Sequence, residues 1–350
     1  MNAITVSASK EYRVLIGSNL IPTLGTEVSA VINGRKVMIV SDSNVWPLYG
    51  ATVANYLTEA GFQVSNFVFV AGEASKTPET YFKLLQVLSE NHLSRQDCVI
   101  ALGGGVVGDL AGFAASTYQR GTGYVQVPTS VLAMVDSSVG GKTGIDLPAG
   151  KNLVGTFYQP DLVLCDTDIL STLPEQEFRS GCAEVIKYAI LFDEALFQRL
   201  EEKGVDFDRE EVISRCINWK KKTVEEDEYD TGCRQMLNLG HTIGHSIEKA
   251  SHFSISHGFA VAAGIGIISR SATALGFCSK EDCKRIIDLL QQFSLPVTTD
   301  FTASELADIA CSDKKRVANS INLIIPATIG CCKQHLLPLE MLESFIKEGL

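Results

Sequence analysis

Residues 97–116 read DCVIALGGGVVGDLAGFAAS, and this stretch decides the fold. DCVIAL has the length and apolar character of a buried strand. Three glycines follow directly, and then an apolar helical segment opens. Gly103-Gly104-Gly105-Val106-Val107-Gly108 is a literal G-x-G-x-x-G set between strand and helix. Glycines allow the tight turn, and a helix N-terminus offers unpaired backbone N–H groups, which together are what a pyrophosphate cradle needs. The plainer alternative is a tight turn that packs helix on sheet.

Working outward, the flanking segments repeat the same alternation. ITVSA and YRVLIG form an opening hairpin, and KVMIVSD is a strand ending at Ser41 and Asp42. PLYGATVANYLTEAG is helical and stops at Gly61, a suitable residue just past a helix end. QVSNFVFV is the next strand. AGEASKTPETYFKLLQVLSEN supplies a loop and a helix with Pro78 in its first turn. Strands alternating with helices predict a parallel sheet covered on both faces. The strand after the glycine turn, YVQVPTS, ends without an acidic residue, so Asp42 is the candidate for holding a ribose. Beyond it, VDSSVGGKTGIDLPAGKN is a second glycine-rich loop. Gly140, Gly141 and Gly144 bracket Lys142, with Lys151 and Asn152 just after. Backbone amides and lysines make an anion site, although the pattern is not that of a nucleoside-triphosphate hydrolase. Asp136 ahead of the loop is either a base or a loop cap.

After DTDILSTLP the pattern turns mainly helical. We therefore expect a Rossmann-like α/β domain over residues 1–170 and a mainly α-helical domain over 171–350. The net charge of −11 argues against nucleic acid and anionic membranes as partners. Ten cysteines, with no C-x-x-C pair and no secretory h-region ahead of them, point to free thiols in the cytoplasm. The longest apolar run, 259–268, is too short to span a bilayer.

The helical half carries four of the six histidines between Asn238 and Gly258, NLGHTIGHSIEKASHFSISHG. His241 and His245 are spaced i, i+4, so a helix places both rings on one face. His257 supplies a third ring. Upstream, Glu184, Lys187 and Tyr188 share a face of another helix, an apolar setting in which an ion pair is costly unless used. Glu184, His241 and His257 make a His₂Glu set with one open position, the form of a catalytic zinc. Satisfied core histidines are the bland alternative. A dinucleotide cradle with an open zinc suggests oxidation of an alcohol. Lys142, Lys151, Lys187, Lys220 and Arg234 suggest a substrate with more than one negative group.

With these motifs in view, the chain resembles the 3-dehydroquinate synthase family nearly end to end. The resemblance is carried by GEASK at 72–76, GGGVVGDLAGFAASTYQRG at 103–121, QVPTSVLAMVDSSVGGKTGID at 126–146, GKNLVGTFYQP at 150–160, AEVIKYA at 183–189, LNLGHTIGH at 237–245 and SHG at 256–258. It implies a homodimer with its active site in a cleft between an NAD-binding domain and a metal- and substrate-binding domain. It implies NAD contacts from Asp42, from Ala71, Gly72, Glu73, Ala74, Ser75 and Lys76, and from Gly105, Val106, Val107, Gly108 and Asp109. Thr129, Ser130, Lys142, Lys151, Ile169, Leu170, Ser171 and Thr172 complete that set. Zinc (or Co²⁺) falls on Glu184, His241 and His257. The implied substrate is 3-deoxy-D-arabino-heptulosonate 7-phosphate. Its phosphate falls to Lys142, Asn152, Asn238, His245 and a lysine of the DKK segment, with Lys314 preferred over Lys315. Arg120 reaches it from the partner subunit. Its carboxylate falls to Lys220 and Arg234, while Asp136 and Lys187 flank the metal-held hydroxyls.

The implied reaction borrows and returns a hydride: transient oxidation, β-elimination of phosphate, re-reduction and intramolecular aldol closure. One departure stands beside the third ligand. The family often reads HGEAVA there, and this chain reads HGFAVA, with Phe259 in place of the acid. The rival readings are another sugar-phosphate cyclase of the same fold, a metal-dependent polyol dehydrogenase, and a non-enzymatic nucleotide-binding scaffold.

Overall fold

A computed structural model describes the backbone of residues 1–314 and 319–350, and the side chains of 1–312 and 319–350. Lys315 and the Lys314 side chain therefore lie outside the described residues. The strands of the first half are β1 (Asn2–Ser7), β2 (Glu11–Gly17), β3 (Lys36–Asp42), β4 (Gln63–Phe69), β5 (Cys98–Gly103), β6 (Gly123–Pro128), β7 (Lys142–Leu147), β8 (Gly150–Phe157) and β9 (Leu162–Asp166). Its helices are α1 (Leu24–Val31), α2 (Ala51–Glu59), α3 (Pro78–Glu90) and α4 (Gly105–Thr117). Then follow α5 (Glu175–Phe192), α6 (Glu194–Lys203), α7 (Arg209–Glu226), α8 (His241–Ala250), α9 (His257–Ala274), α10 (Lys280–Gln292) and α11 (Ala303–Lys314). The hairpin β10 (Ser320–Thr328) and β11 (Cys331–Pro338), and helix α12 (Leu342–Gly349), close the chain.

Two compact units result. One is Met1–Leu173 with Arg209–Tyr229, and the other is Pro174–Asp208 with Asp230–Leu350. Helix α7 belongs with the sheet because it is tied to the first hairpin. Asn2 Nδ2 donates to Ser214 Oγ at 3.0 Å, and the Ser7 N–H donates to Glu225 at 2.7 Å. No helix among the described residues is long and apolar enough to cross a membrane.

The first unit is built on a seven-stranded sheet in the order β1-β2-β9-β6-β5-β3-β4. Only β1 and β2 pair antiparallel, through the short turn of the opening hairpin. The other pairs are parallel, and Ile39, Ile100 and Val125 stand in register across three strands. Successive strand residues point to opposite faces. Met38, Val40, Val99 and Ala101 pack with Leu84, Leu88, Leu110 and Phe113 of α3 and α4. Their neighbours Val37, Ile39, Ile100 and Leu102 point the other way and are equally buried. Both faces are covered, which is why these strands read as continuous apolar runs.

Three segments take a form that was not read from the sequence. The glycine-rich stretch after Asp136 is a hairpin, β7–β8, with Lys142 opposite Phe157 and Gly144 opposite Gly155. Its glycines permit a close approach: a Cβ on Gly155 would lie 2.1 Å from the Thr143 carbonyl oxygen. Glycines placed for strand contact look like loop glycines in a sequence. The stretch SGCAEVIKYAILFDEALFQRL is two helices, because Asp193 ends α5 and its carboxylate caps α6 by accepting the Leu196 N–H at 2.9 Å. Strand β11 had no forecast; its polar, cysteine-bearing sequence is exposed along most of its length.

Candidate active site

In a parallel sheet the strands' carboxyl ends share one edge, and the loops that leave them are neighbours. Asp42 ends β3, Gly72–Lys76 follow β4, and the glycine turn follows β5. Thr129 and Ser130 follow β6, and Ile169–Thr172 follow β9. The strand order thus brings the sequence-predicted nucleotide residues to one edge. Thr129 N–H donates to the Gly103 carbonyl at 3.0 Å, and the Ser130 hydroxyl stands 3.6 Å from where a Gly104 Cβ would be. Tyr49 Oη donates to the Ile169 carbonyl at 3.2 Å and lies 2.5 Å from Thr172 Oγ1. Gly104 N-caps α4 without a side chain, so the first-turn N–H groups of α4 face outward unclaimed by a cap. Ile169 and Leu170 have buried side chains. Asp42 accepts the N–H groups of Asn44 and Val45 at 2.8 and 3.0 Å, a loop-capping role.

Gly72 has φ +112° and ψ 160°, which an L side chain rarely adopts, and from there the chain turns Lys76 inward. Lys76 is 2% exposed. Its ammonium donates to Asp109 at 2.7 Å and to Asn152 Oδ1 at 2.5 Å, with Glu73 3.5 Å and Asp146 3.9 Å away. Burial lowers the Lys76 pKa, but the charges of Asp109 and Glu73 more than offset this and leave it raised. Burial pushes the Asp109 carboxyl up, against the pull of Lys76. Asn152 reaches this cluster with φ +55°, and Lys151 lies 3.9 Å from Glu73. Lys76→Met should cost about 2 kcal/mol of stability, because it leaves carboxylates poorly solvated and without their cation. Chemical denaturation of the variant checks this, and an unchanged midpoint would show the cluster to be solvated.

Asp136 sits in a wide turn, Ala133–Ser137, and accepts a hydrogen bond at 2.9 Å from Lys220 Nζ, which α7 delivers. Lys220 is 6% exposed. Arg120 is exposed in left-handed backbone, φ +63°, and Lys142 is exposed at the start of β7.

In the helical unit, α5 supplies Glu184 and Lys187, α8 supplies His241 and His245, and α9 begins at His257. Glu184 and Lys187 are each 1% exposed and form an ion pair. Glu184 Oε1 lies 3.6 Å from His241 Nε2 and 3.4 Å from His257 Nε2. The three donor atoms lie within 4.8 Å of one another. His241 Nδ1 donates to the Leu239 carbonyl at 3.1 Å, which turns Nε2 toward Glu184. Burial, then the Lys187 charge, lower the His241 pKa to about 3, so its ring is neutral and able to ligate. Burial also acts to lower His257, but hydrogen bonds to Glu184 and Glu248 raise it to about 9. A divalent cation among these donors would replace that proton. His245 is exposed, with its ring centroid 5.4 Å from that of His241 and 5.9 Å from that of His257. Arg234, 2% exposed, lies in the turn Cys233–Asn238, which ends at the exposed Asn238.

Glycine seats the ligands. A Cβ on Gly258 would stand 1.9 Å from the Ser180 carbonyl oxygen of α5. Only glycine lets α9 start against α5 and bring His257 to Glu184. Gly258→Ala should lower stability by about 3 kcal/mol and weaken metal binding with it. Thermal melting and metal titration check this, and a variant as stable as its parent would mean that α9 shifts freely.

Sequence reasoning missed Glu248, 3% exposed on α8. Its Oε2 lies 3.2 Å from His257 Nδ1. A signal was available: Glu248 follows His241 by seven residues and His245 by three, on the same face of α8.

Comparison with known proteins shows the family. The model described as 3-dehydroquinate synthase N-terminal matches residues 66–180, and the C-terminal model matches 181–316. A 3-dehydroquinate synthase of Acaryochloris marina is 42% identical over 337 residues, covering 91% of this chain and 90% of that one. A 2-deoxy-scyllo-inosose synthase complexed with carbaglucose-6-phosphate, NAD+ and Co2+ superposes with TM-score 0.89 at 25% identity, covering all of both chains. ValA, a 2-epi-5-epi-valiolone synthase of Streptomyces hygroscopicus with NAD+ and Zn2+ bound, gives 0.88 at 28% identity over 98% of both. These matches place the chain in the class of the sugar-phosphate cyclases. Within that class, the chain belongs to the 3-dehydroquinate synthase family.

Proposed function

We propose that this chain converts 3-deoxy-D-arabino-heptulosonate 7-phosphate into 3-dehydroquinate and inorganic phosphate, with NAD and zinc as cofactors. The observation that carries the reading is the His₂Glu set, whose two Nε2 atoms lie 3.6 and 3.4 Å from one Glu184 oxygen, in a chain of this family. A tetrahedral ion with ligand bonds of about 2.1 Å holds its donors about 3.4 Å apart, so these donors fit one cation. Three protein ligands leave a position for substrate. When bound, the metal acidifies the substrate hydroxyl, and NAD accepts a hydride and returns it.

The protein's own groups do the rest. The N–H groups at the start of α4 hold the NAD pyrophosphate, with the loops after β3, β4, β6 and β9 around it. Asp136, hydrogen-bonded by Lys220, and Lys187 beside Glu184 orient the reacting hydroxyls and move their protons. Lys220 and Arg234 bind the carboxylate; Arg234 does so with a planar fork that burial keeps in one orientation. The family resemblance assigns the phosphate to Lys142, Asn152, Asn238, His245 and a lysine of the DKK segment, with Arg120 from a second copy. Elimination breaks the C–O bond to phosphate and delivers the neighbouring carbon's proton to a phosphate oxygen. Cations around that group stabilise the charge that it carries away. The final ring opening and aldol closure need mainly positioning. The enzyme acts as a cytoplasmic homodimer in this reading.

A phosphate-release assay tests the reading. Protein, zinc, trace NAD and the heptulosonate phosphate should yield phosphate far in excess of NAD, with no accumulating NADH. Release from glucose 6-phosphate or sedoheptulose 7-phosphate instead would identify a sister cyclase, and accumulating NADH would identify a dehydrogenase.

A further inference from the structure

We infer that Glu248 is a positioning residue for the metal centre. Its carboxylate holds the His257 ring by Nδ1 and so aims Nε2 at Glu184. Glu248 is buried at 3% exposure, an expensive place for a carboxylate unless its charge is used. Its Oε2 lies 3.2 Å from His257 Nδ1, and the same ring's Nε2 lies 3.4 Å from Glu184 Oε1. With Glu248 Oε2 as the acceptor, Nδ1 is the donor and Nε2 is left to face the metal site. His241 is held in the same sense, but by the neutral Leu239 carbonyl at 3.1 Å. The two imidazoles are therefore not equivalent. His257 is held by a carboxylate group and His241 by a backbone carbonyl. Phe259, two residues on, brings no acceptor, so the family departure at that position leaves this contact intact.

Glu248 also forms a second donor group with His245 and His257, which raises a different role, that of ligand to another cation. The geometry favours positioning. His257 has two nitrogens, and Nε2 belongs to the Glu184 set. Serving a second cation through Nδ1 would require a doubly deprotonated ring, whereas a hydrogen bond to Glu248 requires only the ordinary neutral one. His245, the remaining member, is exposed.

The inference rests on the metal reading above, and the test separates the two. Glu248→Ala and Glu248→Gln are prepared in the full chain, and zinc affinity is measured by chelator competition, with metal content and Co²⁺ absorption alongside. The parent should bind one equivalent. Glu248→Ala should weaken zinc about 10–100-fold and alter the Co²⁺ spectrum, with NAD affinity unchanged. Glu248→Gln keeps an acceptor oxygen and should fall in between, and it decides the matter alone if the alanine variant does not fold. Affinity and spectrum equal to the parent's in the folded variants would overturn the inference. So would two equivalents in the parent and one in the variants, which would make Glu248 a ligand. A parent that binds no zinc would sink the metal reading, and this inference with it.

Discussion

His241→Ala is expected to leave a folded chain that neither retains zinc nor releases phosphate. His241 opens α8 with Nδ1 on the Leu239 carbonyl and Nε2 toward Glu184. Alanine there leaves two protein donors, which hold zinc poorly. A Lewis acid contributes several kcal/mol at the reacting oxygen, and each 1.36 kcal/mol is tenfold in rate, so turnover should fall by roughly three orders of magnitude or more. The fold should persist for a stated reason. With its pKa near 3, the His241 ring is neutral, so its removal strands no opposite charge. Alanine is also the most favourable helix residue. Metal content, phosphate release and circular dichroism on one preparation check all three parts. A metal-free variant with full activity would rule out the His₂Glu centre.

The second large effect is expected at Arg234. Its side chain is 2% exposed, so its orientation is set before any ligand arrives. Truncating one partner of a buried, hydrogen-bonded charge pair costs about 2–5 kcal/mol. If Arg234 binds the substrate carboxylate, Arg234→Ala should raise KM by roughly 30-fold to several thousand-fold, with NAD affinity nearly unchanged. Arg234→Lys should recover only part of this, because lysine keeps the charge and loses the two-pronged geometry. Melting curves separate a binding defect from a folding defect. Equal losses for substrate and NAD would place Arg234 in a different subsite.

Much of this molecule is legible residue by residue. DCVIAL followed by three glycines is a strand and a turn because a continuous apolar run has to be covered on both faces and a glycine turn relieves the backbone. The pairing of His241 with His245 follows from helical spacing alone. The Glu184–Lys187 pair is likewise local, one helical turn on α5. The β7–β8 hairpin was hidden because Gly144 and Gly155 stand for close strand contact, which a sequence cannot distinguish from a loop. Helix α7 was hidden in another way. Its charged run reads as a solvated helix, and nothing local says that it returns to the first hairpin and carries Lys220 to Asp136.

Local sequence thus determined most of the elements, the glycine turn after β5 and the family, because these depend on residues adjacent in the chain or one helical turn apart. Tertiary structure decided what depends on distant segments meeting. It turned Lys76 onto Asp109 and Asn152, and set α9 against α5 through the missing side chain of Gly258. It also buried Glu248 against His257, nine residues along the chain but on a different helix. Such contacts are fixed by packing and by the cost of leaving a buried charge without a partner, and neither has a period or a spacing that could be read from the chain.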